Sequence, residues 1–395
     1  MKNKMIFNMG VFLMSAFCFS ACSLPFGNSS ENFSDSSTQS SREPVKYEVT
    51  EKYGENGIDF EIDFNSDEDL RILQLADLQL QDLENARNEN RYNQLKNAFF
   101  MKNITSHEIR AWSYVDEAVE KTQPHLIVLT GDNIYGETDD DGSDWLELCE
   151  KMDSFDVPWI ATFGNHDNES AKGVRWQIQQ LQNTEHCIFK GGEVTGNSNY
   201  NLLVKENGQI EQLFFMLDTN GCKTKPNNLG EGLMPDNVDI NEVCQTSGIY
   251  SDQIEWFTNS YNLAQQSYGK ISVLMFYHIP PSVTKDAFYK GDFPEYQYFD
   301  DGTNFGICDD SLGGFDSESF YQAAKEINCK GMFFGHQHTN AMSIMYQGIR
   351  LTYGLKTGTY DSHKDNMLGS TLITLKGNGD FGVEYIFSDI EYQRV

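Results

Sequence analysis

Five short apolar runs in this chain of 395 residues each stop at side chains able to hold a metal or move a proton. Ile72 to Ala76 ends at Asp77-Leu78-Gln79, and Leu126 to Thr130 ends at Gly131-Asp132-Asn133-Ile134-Tyr135. Trp159 to Phe163 ends at Gly164-Asn165-His166-Asp167, Ile271 to Tyr277 at His278, and Gly331 to Phe334 at Gly335-His336-Gln337-His338. Any one cluster is weak evidence, because Gly-Asp is a common turn and a lone histidine after a strand is more often a satisfied core or surface residue. Aspartate, asparagine and imidazole donors recurring at consecutive strand ends are another matter. They are what two divalent or trivalent cations need, roughly 3.5–4 Å apart, for hydrolytic chemistry. Gly131, Gly164 and Gly335 permit the tight turns that would aim these side chains.

Near-continuous apolar runs suit strands buried on both faces. Helix-like stretches lie between several of them: Ser113 to Lys121, Lys172 to Gln182, Ser251 to Ala264 and Ser317 to Ile327. This alternation argues for an α/β sheet with helices on both sides, whose ligands gather outside the carboxyl ends of the strands. The extended segments Asn199 to Val204, Gln212 to Leu217, Ala341 to Tyr346, Ile349 to Tyr353 and Leu372 to Leu375 predict a second sheet packed on the first. The expected architecture is a four-layer α/β/β/α sandwich.

With 39% hydrophobic and 22% charged residues, the chain reads as a globular body rather than a disordered one. The 29 Lys and Arg against 59 Asp and Glu give a net charge of -30, which opposes a nucleic-acid partner. A small phosphorylated substrate stays open, because a metal site reverses the sign locally. Residues 1–22 read as an export signal: Lys2 and Lys4 precede a largely apolar stretch, and small residues lead into Cys22. Phe19-Ser20-Ala21-Cys22 resembles a bacterial lipobox, which makes Cys22 the lipidated residue, and the Ser-rich segment 23–45 a tether. The alternative is a cleaved secretory signal in which Cys22 has no role. On the lipobox reading the folded body, 46–395, works outside the cytoplasm and meets the membrane through its lipid anchor alone. Cys222 and Cys244 flank one Gly/Pro/Asn-rich segment and are the pair to suspect of bridging; free buried thiols are the equal alternative. The acidic run Glu137 to Asp141 reads as a solvated loop.

The ordered motifs resemble the calcineurin-like metallophosphoesterase superfamily, whose pattern is D-x-H, G-D-x-x, G-N-H-D/E, a lone H, and G-H-x-H. The resemblance runs from about Arg71 to Tyr360. The wider strings from Leu129 to Gly136 and from Phe163 to Ser170 look like the branch related to purple acid phosphatases, as do Tyr277-His278-Ile279-Pro280 and His336-Gln337-His338-Thr339-Asn340. The resemblance implies that Asp132 bridges two metals, Asp77 and His338 hold the first, and Asn165, His278 and His336 hold the second. It implies that His166 sits over the substrate oxygen as a proton donor, steered by Asp167. Gln79 departs from the pattern, standing where most of the superfamily has the His of D-x-H. The purple acid phosphatases also lack that His and use the Tyr of G-D-x-x-Y, supplied here by Tyr135. A phenolate favours a hard trivalent ion, so the resemblance implies Fe(III) paired with Zn, Mn or Fe(II). The competing reading is that Tyr135 merely packs and the first site is weakened or empty.

The implied function is phosphoester hydrolysis with a metal-bound hydroxide as nucleophile, on a phosphomonoester sooner than a diester. Two alternatives stand beside it: a phosphodiesterase with the same metals, and a surface lipoprotein whose degenerate site serves only binding.

Overall fold

Strand alternation inside the apolar runs decides the layers. Leu213, Phe215 and Leu217 belong to one core cluster, while Phe214 and Met216 between them belong to another. Val273, Met275 and Tyr277 alternate with Leu274 and Phe276 in the same way, and Met332 and Phe334 flank Phe333. Side chains on a strand point to opposite faces with a period of two, so a run apolar at every position must be covered on both sides.

The computed structural model describes residues 46–81, 105–136, 141–170, 172–221, 246–309 and 311–390, with backbone alone for 105–110. Residues 44–395 form one compact unit. In chain order its strands are β1 (Lys46–Glu51), β2 (Phe60–Asn65), β3 (Leu70–Leu75), β4 (Leu126–Thr130), β5 (Trp159–Thr162), β6 (Tyr200–Glu206), β7 (Gln209–Met216) and β8 (Val273–Phe276). They continue as β9 (Phe299–Asp300), β10 (Phe305–Cys308), β11 (Cys329–Phe334), β12 (Asn340–Tyr346), β13 (Ile349–Tyr353), β14 (Gly369–Leu375) and β15 (Phe381–Phe387). The helices are α1 (Thr105–Thr122), α2 (Ser143–Asp153), α3 (Val174–Asn183), α4 (Ser251–Tyr268), α5 (Val283–Lys290) and α6 (Glu318–Glu326).

One sheet has the order β1-β2-β6-β7-β8-β11-β13-β12-β10-β9, and the other β15-β14-β3-β4-β5. The first core cluster joins the small sheet, helices α1 to α3 and the inward face of the large sheet. The second lies between the large sheet's other face and helices α4 to α6. Helix α4 shows why: Phe257, Tyr261 and Ala264 recur at helical spacing and are buried, while the opposite face is wet. Phe276 and Phe333 stack on the inter-sheet face with ring centroids 5.1 Å apart. The result is a mixed α/β fold with helices outside two sheets.

The sequence reading placed all five ligand-bearing runs in one sheet. The structure divides them. β3, β4 and β5 pair in parallel in the small sheet, whereas β8 and β11 pair in parallel in the large one. Leu372 to Leu375, expected in the second sheet, lies in β14 and pairs antiparallel with β3. An apolar pattern shows that a strand is buried on both faces, but not which distant strand completes its hydrogen-bond ladder.

Cys149, Cys187 and Cys329 are free thiols. Cys22, the export segment and the tether, the Cys222/Cys244 pair, and residues 137–140 of the acidic run all lie outside the described residues. Among the described residues no helix is long and apolar enough to cross a membrane.

The inter-sheet face yields one prediction. Phe333→Ala removes a fully buried ring from the Phe276 stack and should lower unfolding stability by about 3–5 kcal/mol. Urea denaturation checks it, and an unchanged midpoint would contradict the assigned packing.

Candidate metal centre

The loops after β3 and β4 are zipped together by their backbones. The amide of Asp77 donates to Gly131 O, Gln79 to Asp132 O, Leu80 to Asn133 O, and Tyr135 back to Leu80 O. This ladder beyond the strand ends fixes where Asp77 and Asp132 point. It also holds Asp77, Gln79 and Asp132 at φ of 53°, 48° and 49°, and His336 lies at 72°. Non-glycine residues rarely adopt that region, and each instance costs on the order of 1 kcal/mol or more.

The three motif glycines do not share one reason. Gly131 has φ +85°, and a Cβ there would meet Gly164 N at 2.7 Å and His278 Cβ at 2.8 Å. Gly164 is needed for space: a Cβ would lie 2.2 Å from both the N and Oδ1 of Asp132. The β4, β5 and β8 loops therefore touch at this point, and the small and large sheets meet there.

Two triads of ligand atoms result: Asp132 with His278 and His336, and Asp77 with Asp132 and His338. Within each triad the atoms lie within 4.8 Å of one another, and Asp132 belongs to both. His278 Nδ1 donates to the carbonyl of Thr130 at 2.9 Å, which aims Nε2 at the cluster. That Nε2 sits 3.0 Å from Asp132 Oδ2 but out of line for a hydrogen bond. Asn165 Oδ1 is buried beside His166 in the same turn and has no hydrogen-bond partner. His338 turns Nε2 to within 3.3 Å of Asp77 Oδ1, while its Nδ1 lies 3.1 Å from Ser362 Oγ. A buried spot lined by carboxylates, imidazole nitrogens and an orphaned amide oxygen is chemically suited to cations.

The electrostatics say the same. Burial alone would raise the Asp132 carboxyl, but the charges of His278 and His166 outweigh it and hold the group well below its usual range. Burial lowers His278, yet the Asp132 carboxylate pushes it up to about 9, so positive charge is demanded at this spot. Burial and then the charge of His278 push His336 down to about 3.

His166 Nδ1 lies 2.8 Å from Glu169 Oε2, and Glu169 is fully buried. This corrects the expectation that Asp167 steers His166. Asp167 instead accepts from the amides of Gly164 and Ile134 and from Asn133 Nδ2, so both its oxygens brace the turn. The reason is local geometry. Asp167–Glu169 forms a single 3₁₀ turn, which returns the third residue over the ring and sends the adjacent one away. The spacing His-x-x-Glu was the available signal.

Tyr135 is buried, with its ring stacked on His166 at 4.2 Å between centroids and set edge-on to Tyr360 at 5.2 Å. Gln79 is buried against Lys356, a residue no motif singled out. Asp361 and Ser362 stand behind His338, the Asp361 carboxylate 3.9 Å from its Nδ1. His125 Nδ1 accepts the amide of Arg71.

The profile described as Calcineurin-like phosphoesterase matches residues 70–340. Probable inactive purple acid phosphatase 14 of Arabidopsis thaliana is 22% identical over 272 residues, 62% of this chain and 61% of its own length. Probable inactive purple acid phosphatase 29 of the same plant is 23% identical over 319 residues, 74% of this chain and 72% of its own. This chain thus spans about three fifths of the first relative and somewhat more of the second. A dimetal phosphatase from Danio rerio aligns over 82% of this chain and 98% of its own, with 14% identity and a TM-score of 0.49. Because the profile covers well over half of the sequence, the chain belongs to the calcineurin-like phosphoesterase family.

Proposed function

We propose that this protein is a dinuclear metal-dependent phosphoester hydrolase, acting on small phosphomonoesters outside the cytoplasm and tethered by lipid at Cys22. The observation that carries the reading is the pair of triads sharing Asp132, with the orphaned Asn165 oxygen beside them. In this reading Asp132 serves both ions, Asp77, His338 and the Tyr135 phenolate serve the first, and Asn165, His278 and His336 serve the second. When bound, the two cations supply Lewis-acid polarisation of phosphoryl oxygens and a water of lowered pKa. The chain's own part is positioning and proton transfer. Glu169 anchors His166 through Nδ1, and the Tyr135 ring fixes its plane. The reading gives His166 Nε2 to the leaving oxygen, which it protonates as the ester bond breaks. Asp167 keeps the turn rigid so that Asn165 and His166 face the same volume.

Gln79 favours a second reading, a degenerate site that only binds a partner, and the relatives named inactive add to it. Metal content separates the two. Elemental analysis of protein made without chelators should give about two transition-metal ions per chain. His166→Ala should keep them while slowing hydrolysis of a phenyl phosphate monoester by roughly 10²–10⁴-fold, the usual range for a lost general acid. Glu169→Gln should slow it less. Protein without metal supports the binding module, undiminished turnover in His166→Ala removes the proton-donor role, and faster cleavage of a bis-phenyl diester turns the assignment to a phosphodiesterase.

The first ion's identity has its own test. A tyrosinate–Fe(III) pair absorbs visible light, so the purified protein should be coloured and Tyr135→Phe colourless. A colourless wild type carrying two zinc ions would refute iron and leave hydrolysis in place.

A further inference from the structure

Lys356 is 2% exposed, and no acidic side chain lies within ion-pairing distance of its ammonium among the contacts described. Its backbone bridges to Ala76, just before Asp77, and its Nζ donates to the carbonyl of Asp77 at 3.0 Å and to Gln79 Oε1 at 2.6 Å. An ammonium can only donate, so the atom of the Gln79 amide facing it must be the oxygen. The amide NH2 is thereby turned the other way, into the first triad. Gln79 Nε2 stands 3.3 Å from His338 Nε2 and donates at 3.5 Å to Asp132 Oδ2.

The consequence for a cation between Asp77, Asp132 and His338 is direct. It meets two N–H hydrogens where a ligating oxygen or nitrogen would be useful, and it has the Lys356 side chain behind the amide. The second triad has no such neighbour: His278 is aimed by the Thr130 carbonyl, and Asn165 offers an oxygen without a partner. Resting on the metal-centre reading above, we infer that the Lys356–Gln79 pair holds the first site weak, so that the two ions load in separable steps. The ion of Asn165, His278 and His336 is held tightly. The ion of Asp77, His338 and Tyr135 is the more weakly held of the two. Lys356 is a positioning residue acting through Gln79, not a group that touches substrate.

Calorimetric titration of the metal-stripped full chain with Zn²⁺ tests this without any activity assay. Wild type should show two steps whose dissociation constants differ by roughly 10–100-fold, the span typical of outer-shell partners. Gln79→Glu keeps the side chain's shape and its contact with Lys356 while replacing the inward NH2 by an anionic oxygen. It should tighten the weak step by a similar factor and leave the tight step where it was. Lys356→Met, which frees the amide to turn its oxygen inward, should move the same step in the same direction. If that variant does not fold, Gln79→Glu decides alone. Two equal steps in wild type, or a weak step unmoved in Gln79→Glu, overturn the inference but leave the metal centre standing. No zinc uptake by any of the proteins overturns both.

Discussion

Two buried carboxylates facing imidazole nitrogens are the constraint on which the rest depends. Asp77 and Asp132 are 2% and 1% exposed, and the carboxylate of Asp132 serves both triads. Burial of such charge is expensive unless it is compensated. Compensation here comes from His278, His338 and Lys356, which surround the acids and outweigh the desolvation that would otherwise raise the Asp77 carboxyl. The loops are built to enforce this arrangement. They zip their backbones past the strand ends, tolerate left-handed φ at four non-glycine positions, and leave no room for a Cβ at Gly164.

The same constraint couples the two sheets. Asp77, Asp132 and Asn165 follow strands of the small sheet, while His278, His336 and His338 follow strands of the large one. Neither sheet carries a complete triad alone. The amide of His336 donates to both oxygens of Asp77, and the ring of His278 reaches back to the carbonyl that ends β4. The inter-sheet core of Phe214, Phe276 and Phe333 sets the distance across which these contacts form. Packing in the core and alignment at the rim are therefore one structural problem.

How much of this was legible in the sequence follows from the range of each interaction. The apolar runs and their polar ends could be read because strand burial and turn chemistry are local. Leu126–Thr130 coincides with β4, and the helix-like stretch from Ser251 lies within α4. The division of the runs between sheets could not be read, since Ile72 to Ala76 and Ile271 to Tyr277 have the same pattern. The motif gives Asp167 the steering role, but in a 3₁₀ turn the residue three on, Glu169, is the one that returns to the His166 ring. Lys356 carried no signal at all. It lies 279 residues beyond Asp77, and its pairing with Gln79 arises from a single backbone bridge at Ala76.

Net charge and site charge pull in opposite directions, and the second explains how the first is tolerated. A chain with 59 acidic residues against 29 basic ones repels phosphate at long range. At short range His278 and Lys356 set positive charge against Asp77 and Asp132 before any cation is counted. Strain argues in the same direction. Backbone held in the left-handed region at Asp77, Gln79, Asp132 and His336 destabilises the fold, and such strain persists where the surrounding structure over-determines it for a purpose. Gln79 fits this logic as well as its neighbours do: its oxygen is occupied by an ammonium, its nitrogen faces His338 and Asp132, and both ends of the amide are engaged. A buried amide must be satisfied whatever its role, so these contacts fix its orientation. On the reading proposed above, the departure at Gln79 retunes the first site.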